Sequence, residues 1–314
     1  MRVLSRRLVR FASAAIVGGM ALAALAQEGA APVTFSLFKG EENSVTLGGW
    51  GSGKAEVSRA DPARNIGGRV KLGDFSIKVT THGTHQGGRI DFAKPVDLSA
   101  ALANPRCYLR LQVSFDATQD VQDISGFAQK KAAAPFERMR YVFIMADGSQ
   151  YELVRPLDIP PSEDPDSYVA QNIPLSALKK AAKKPLAGNG AKLVSLVVAG
   201  DKYDTFYIGE MDVVTDDTEI SVADLDDQIA FIDNEMSFTG DAEGGSSTLK
   251  FSWDWDAADG VQEDDTGRTV KHVFPKTIFR GSEDIHKVIV TLTVSDVDGL
   301  KKPVSKKLSL EVGR

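Results

Sequence analysis

Between residues 34 and 215 one pattern recurs: apolar and polar side chains alternate with a period of two, in runs broken by Gly, Pro, Asn and Asp. Successive side chains of a strand point to opposite faces, so this alternation predicts strands buried on one side. The clearest runs are 75–80, 89–93, 107–115, 139–145, 150–155, 168–173, 193–199 and 205–213. Ala146-Asp147-Gly148-Ser149, between two of them, reads as a hairpin because Asp-Gly accepts the positive φ of a tight turn. One helix is predicted, from Leu175 to Lys184, with Ser176 as its cap and Pro185 as its stop. The alternation returns at 248–253, 287–294 and 304–312. Many short strands with almost no helix predict an all-β chain of two sandwiches.

Charge divides the chain. Residues 27–215 carry 22 Lys and Arg against 22 Asp and Glu, whereas residues 216–314 carry 11 against 21. Arg2, Arg6, Arg7 and Arg10 supply the rest of the cations, ahead of an Ala- and Gly-rich apolar run at 11–26. A basic start, a short apolar stretch and small residues at Ala24 and Ala26 read as an export signal cleaved near Gln27. Ser5-Arg6-Arg7 also resembles a twin-arginine signal, although Val9 and Arg10 favour general secretion. The reading is of an exported bacterial protein, periplasmic, secreted or at the cell surface, with no membrane span after cleavage. A net charge of −6 does not point to nucleic acid. The single cysteine, Cys107, shares a strand face with Leu109, Leu111, Val113 and Phe115 and is expected to be buried and inert. The change in charge places a domain boundary at 216–219, giving units at 27–215 and 219–314.

The order of motifs in the first unit carries a resemblance. Gly49-Trp50-Gly51-Ser52-Gly53 is followed by a strand at 73–79, by Arg89-Ile90-Asp91-Phe92, by Ile173-Pro174-Leu175-Ser176 and by Thr205 through Val214. This resembles the galactose-binding-like jelly rolls of bacterial carbohydrate-binding modules. The resemblance implies a polysaccharide or cell-surface glycan as partner, and other exported proteins as alternatives. It also implies a structural calcium near the first and last strands, where Glu41, Glu42, Glu210 and Asp212 could supply oxygens. Solvated carboxylates without an ion are the competing reading. If Leu109 and Leu111 face the core, Tyr108, Arg110 and Gln112 project from the other side of the sheet as a candidate ligand face. Arg89 or Arg140 is expected to adjoin it on neighbouring strands. Trp50 is either a stacking platform or, the favoured reading, a plug over the core. Polar loops are expected at 116–138 and 156–167, and Lys179, Lys180, Lys183 and Lys184 as a solvated helix face.

In the second unit Phe238-Thr239-Gly240, Phe251-Ser252-Trp253-Asp254-Trp255, His272-Val273-Phe274 and the run from Val290 to Leu300 follow one another. They are similar to the pattern of polycystic-kidney-disease (PKD) domains, with a lengthened turn at Ala257-Ala258 and an insertion at 275–286. The resemblance implies an immunoglobulin-like sandwich with Trp253 in its core and a spacer or contact role. Strand alternation then points Asp254 outward, and Asp254, Asp256, Asp259 and Asp265 read as a solvated acidic turn rather than a calcium loop.

The sequence holds no GxSxG elbow, Walker loop, HExxH or CxxC. His82 and His85 are a close pair without a third ligand nearby. These readings together predict an exported, non-catalytic binding protein directed at carbohydrate. A structural protein-interaction role is the alternative, and a jelly-roll glycosidase or lyase ranks below both.

Overall fold

The computed structural model describes residues 31–41, 43–59, 70–115, 118–122, 128–132, 135–157, 167–225, 228–256, 260–279 and 283–314. Glu42, Asp259 and the expected export signal lie outside the described residues. The chain is all-β, and its described strands build two sandwiches with separate apolar cores.

One sheet of the first sandwich, sheet A, runs in the order β11 (Val169–Pro174), β6 (Cys107–Phe115), β13 (Tyr203–Thr215), β4 (Ser76–His82), β3 (Lys54–Ser58). Strand β1 (Phe35–Phe38) also pairs with β13. The facing sheet, B, runs β10 (Gln150–Pro156), β9 (Arg138–Met145), β12 (Lys192–Gly200), β5 (Gly87–Asp97), β2 (Val45–Trp50). Every pairing in both sheets is antiparallel. The phase of each strand follows its apolar residues. Cys107, Leu109, Leu111, Val113 and Phe115 of β6 meet Met139, Tyr141, Phe143 and Met145 of β9 in one buried core. On β13 the phase slips: Phe206 and Ile208 face this core, and then Met211 and Val213 do. The slip is a bulge at Gly209, which sets Glu210 and Asp212 together on the outer face.

The helix α2 spans Leu175–Ala182, two residues shorter than expected, and Lys183 ends it in the left-handed region at φ 53°. Pro174 occupies the N-cap, so Ser176 does not cap it. A short helix α1 (Ser99–Ala103) was not anticipated. The segment expected as loop at 116–138 contains an antiparallel pair, β7 (Thr118–Gln122) with β8 (Ala128–Ala132). Four lysines of α2 and its end are exposed, as expected of a solvated face.

After β13 ends at Thr215 the chain crosses to the second core. Its main sheet runs β15 (Ile229–Phe231), β22 (Val304–Gly313), β21 (Ile285–Asp296), β18 (Leu249–Asp254), β19 (Asp265–Thr266). Two-stranded pairs oppose it: β14 (Ser221–Val222) with β17 (Ala242–Glu243), and β16 (Glu235–Thr239) with β20 (Thr269–Val273). Trp253 is fully buried, its ring stacked 5.6 Å from Trp255 and its Nε1–H donating to the Gly267 carbonyl at 2.9 Å. Asp254 corrects the expectation of an outward, solvated residue. It is 1% exposed, and its carboxylate accepts the backbone N–H groups of Asp256 and Gln262. Asp264 and Asp265 accept in turn from the Trp255 backbone and indole N–H groups. The acidic turn is therefore a hydrogen-bonded part of the core's rim.

The residues Pro32–Arg314 form one compact unit, and a seam of polar contacts joins the two sandwiches. Arg155 of β10 donates to Asp298, both nearly buried. Asp216, in the crossing segment, accepts from Lys301 at 2.6 Å and from the N–H groups of Ser246 and Thr218. Burial alone would raise the Asp216 carboxyl; those three partners outweigh it and hold the carboxyl below the ordinary aspartate value. Gly245, at φ 58°, passes so close that a β-carbon would lie 2.5 Å from the Asp216 carboxylate. A left-handed turn pressed on a carboxylate requires glycine.

Candidate functional site

The outer face of sheet A gathers side chains from three strands. Registration sets Asn172 of β11 beside Arg110 of β6, and Arg110 beside Asp212 of β13; the next row is Ala170, Gln112 and Glu210. Arg110 donates to Asp212 at 3.2 Å, and Lys71 donates to Glu210 at 3.1 Å. The two carboxyl groups are close enough for each to shift the other's titration. Gly209 permits this closeness, because a β-carbon there would run into Lys71 and the Tyr168 ring. Tyr168 in turn holds Ser76 at 2.9 Å through its hydroxyl.

The environment pushes the two acids apart. Burial raises the Asp212 carboxyl, and Glu210 adds to the rise against the Arg110 contact. Glu210 goes down: burial is outweighed by the hydrogen bond from Lys71, by that from Asp212 and by the charges of Lys71 and Arg110. The two carboxyls thus shift in opposite directions, the kind of asymmetry by which paired carboxyls divide acid and base roles.

The structure separates the residues that the sequence reading grouped as a ligand face. Tyr108 is 1% exposed: the turn carrying Ser247 covers it, the two hydroxyls lie 3.3 Å apart, and burial pushes the phenol up to about 12. Arg110 is committed to Asp212, and Gln112 remains half-buried. Arg89 and Arg140 lie on the outer face of sheet B, on the opposite side of the sandwich. They therefore cannot adjoin Tyr108. Arg89 pairs with Asp91 at 2.8 Å, and Arg140, 8% exposed, with Glu152 at 2.6 Å. Trp50, at the end of β2, is half-buried and lies outside the first core, which corrects the plug reading.

The calcium reading does not fit the donors. Glu210 and Asp212 are occupied by Lys71 and Arg110, and Glu41 is exposed in the turn after β1. Among the described residues no group of three or more His, Cys, Asp or Glu is placed to hold a metal, and His82 stacks edge-on against Tyr203. Cys107 is buried, and burial pushes its thiol up despite a contact with the Thr215 hydroxyl, as expected of an inert residue. Sequence reasoning missed Lys71 because it lies outside every alternating run.

Among the described residues no helix is long and apolar enough to cross a membrane. No family model matches the chain, and no curated protein matches it. Solved structures do. The glycoside hydrolase domain of Endo-D from Streptococcus pneumoniae R6 matches 84% of the chain at 12% identity and a TM-score of 0.27. A beta-1,2-glucanase from Parabacteroides distasonis matches 88% at 12% identity and a TM-score of 0.31. The matched regions are 37% and 38% of those proteins' chains, so the chain spans well under half their length. Both neighbours are glycoside hydrolases, and neither is a binding module or a PKD domain. The expectation of a non-catalytic binding protein finds no support among them. Scores this low transfer no fold, substrate or activity to the chain.

Proposed function

We propose that this chain is an exported protein that acts on a saccharide by proton transfer, with Asp212 as the proton-holding acid and Glu210 as its ionised partner. The observation that carries the reading is the contacting pair itself: two carboxyls on one strand face, one raised and one lowered, each backed by a cation. Arg110, Gln112 and Asn172 around the pair offer the donors and acceptors that orient sugar hydroxyls, and the jelly-roll resemblance of the first sandwich agrees with such a ligand. Contacting carboxyls are closer than the about 5–5.5 Å that separates acid and nucleophile in retaining glycosidases. Direct attack by Glu210 on a sugar carbon is therefore not its role. Asp212 gives its proton to the departing glycosidic oxygen as the carbon–oxygen bond breaks. A water molecule then adds to that carbon and gives a proton to the Asp212 carboxylate, which restores the acid, Glu210 staying ionised throughout. The second sandwich, which the resemblance makes PKD-like, meets this face at its Tyr108 end through Ser247.

The test is an incubation of the purified protein with neutral and acidic polysaccharides, followed by a count of new reducing ends. Asp212→Asn is expected to lower the rate by about a hundredfold or more, with unchanged folding by circular dichroism. A protein that releases no product from any polysaccharide, or an Asp212→Asn variant as fast as wild type, would overturn the proposal.

A further inference from the structure

One corner of the second sandwich breaks the rule that outward strand positions are polar. In its main sheet, Val288, Val290 and Leu292 of β21, Leu308, Leu310 and Val312 of β22 and Ala230 of β15 belong to the core. The residues between them therefore point outward. Along part of the sheet these are Thr293, Ser295, Ser305 and Lys307, ordinary residues for a face in water. At the β15 end they are Ile229, Phe231, Ile285 and Ile289, between 47% and 71% exposed.

Register brings these four together. Gly313 of β22 pairs with Phe231 on one side and with Ile285 on the other. In the next row Glu311 pairs with Ile229 and with Lys287, and Ile289 follows beside Ser309. The Phe231 ring lies over Gly313, 3.1 Å from where a β-carbon would stand. Four apolar side chains thus surround one ion pair, Lys287 with Glu311 at 3.0 Å, itself exposed. Exposed apolar clusters rimmed by polar groups mark association surfaces. The edge strand β15 carries neither Lys nor Pro to guard it.

Charge selects the occupant. An acidic partner would meet the Glu311 carboxylate and a basic one the Lys287 ammonium, whereas a second copy of the same face meets neither mismatch. In a twofold contact residue i touches j and j touches i. With the axis along the strands, between β21 and β22, Lys287 lies over Glu311 of the second copy, and Glu311 over its Lys287. The same rotation sets Ile285 over the row of Gly313, against the Phe231 ring, once in each direction. We propose that this chain forms a twofold dimer through the β15–β22–β21 corner of its second sandwich, sheet face against sheet face. The corner spans about 14 by 17 Å. That is well below the about 800 Å² per partner of a stable complex, so the dimer is a weak one. It stands whether or not the Glu210–Asp212 pair is catalytic.

Sedimentation velocity of the whole protein tests it, over a concentration series that spans a dissociation constant on the order of 100 µM. Wild type is expected to pass from monomer to dimer and to stop there, because a twofold contact closes. Ile285→Thr with Ile289→Thr, both at exposed strand positions, is expected to weaken the dimer about tenfold or more with the melting temperature unchanged. Lys287→Glu sets like charges face to face and is expected to weaken it to a similar extent; adding Glu311→Lys is expected to restore it. Tyr203→Ser, at an exposed aromatic of the first sandwich, is expected to dimerise as wild type does. A monomer at every concentration would overturn the proposal and leave the corner to a different partner. So would a dimer that tolerates the two threonines, or one that survives Lys287→Glu, which would point to pairing through the β15 edge. Growth beyond the dimer would overturn it as well, being the sign of a contact that does not close.

Discussion

Two neighbouring acids in the crossing segment differ only in what surrounds them, and replacing each with alanine measures the seam. Asp216 is 7% exposed and holds three partners at 2.6–3.0 Å: the Lys301 ammonium and two backbone N–H groups. Asp217 is paired with Arg106, with both side chains about half exposed. Asp216→Ala strands the Lys301 ammonium, 11% exposed, without its counter-ion and leaves the Ser246 and Thr218 N–H groups unpaired. Breaking one side of a buried pair costs about 3–5 kcal/mol; the amide losses belong to the same carboxylate and are contained in that figure, not added to it. Asp217→Ala breaks an exposed pair worth about 0–1 kcal/mol. Guanidinium melts followed by tryptophan fluorescence read both, since the second sandwich carries Trp253 and Trp255. The pH dependence supplies an internal check. The folded Asp216 carboxyl lies below its unfolded value of about 3.9, so its stabilisation is fully present above that pH and is lost as pH falls through the folded value. The gap between wild type and Asp216→Ala should therefore narrow in acid. Equal small losses for the two variants at neutral pH would refute the seam as an energetic feature.

Trp253→Ala should cost about 3–5 kcal/mol, because a fully buried ring in contact with Phe238 and Trp255 is removed. Asp254→Ala should cost about 1–3 kcal/mol rather than nothing, since two turn N–H groups lose their acceptor; denaturant melts measure both, and a neutral Asp254→Ala would contradict its place in the rim. Cys107 should resist an aromatic disulfide reagent at neutral pH until guanidinium unfolds the first sandwich, and a fast native reaction would show that its face is open.

The strand phases were legible because alternation is a local signal: Leu109, Leu111 and Val113 name the core face of β6 without knowledge of its neighbours. Which sheet a strand joins is not local. Arg89 and Arg110 both point outward from the first core, yet β5 and β6 belong to opposite sheets, so the sequence could place each on a face but not on the same face. The bulge left a trace that can be read, with Phe206 and Ile208 on one phase, Met211 and Val213 on the other, and Gly209 between them. That slip sets Glu210 and Asp212 on the outer face as i and i+2 neighbours. Their cations come from 139 and 102 residues away, at Lys71 and Arg110, and no spacing rule reaches that far. Asp254 failed for a related reason: a carboxylate looks solvated in sequence until its backbone N–H partners are known. The pair β7 and β8 sits in strongly polar sequence and offers no apolar period to find.

An outward polar residue on a strand has three fates: hydration, pairing with another side chain, or burial under a second unit. Residue type does not choose among them. Tyr108, nominated for its ring and its polar tip, is spent on the seam, where its hydroxyl meets Ser247. Arg110, nominated for its planar donor fork, is spent on Asp212. What marks a site is capacity left over after such partners are assigned. By that measure the outer face of sheet A keeps one feature, two carboxyls on one strand face whose pKa values shift in opposite directions.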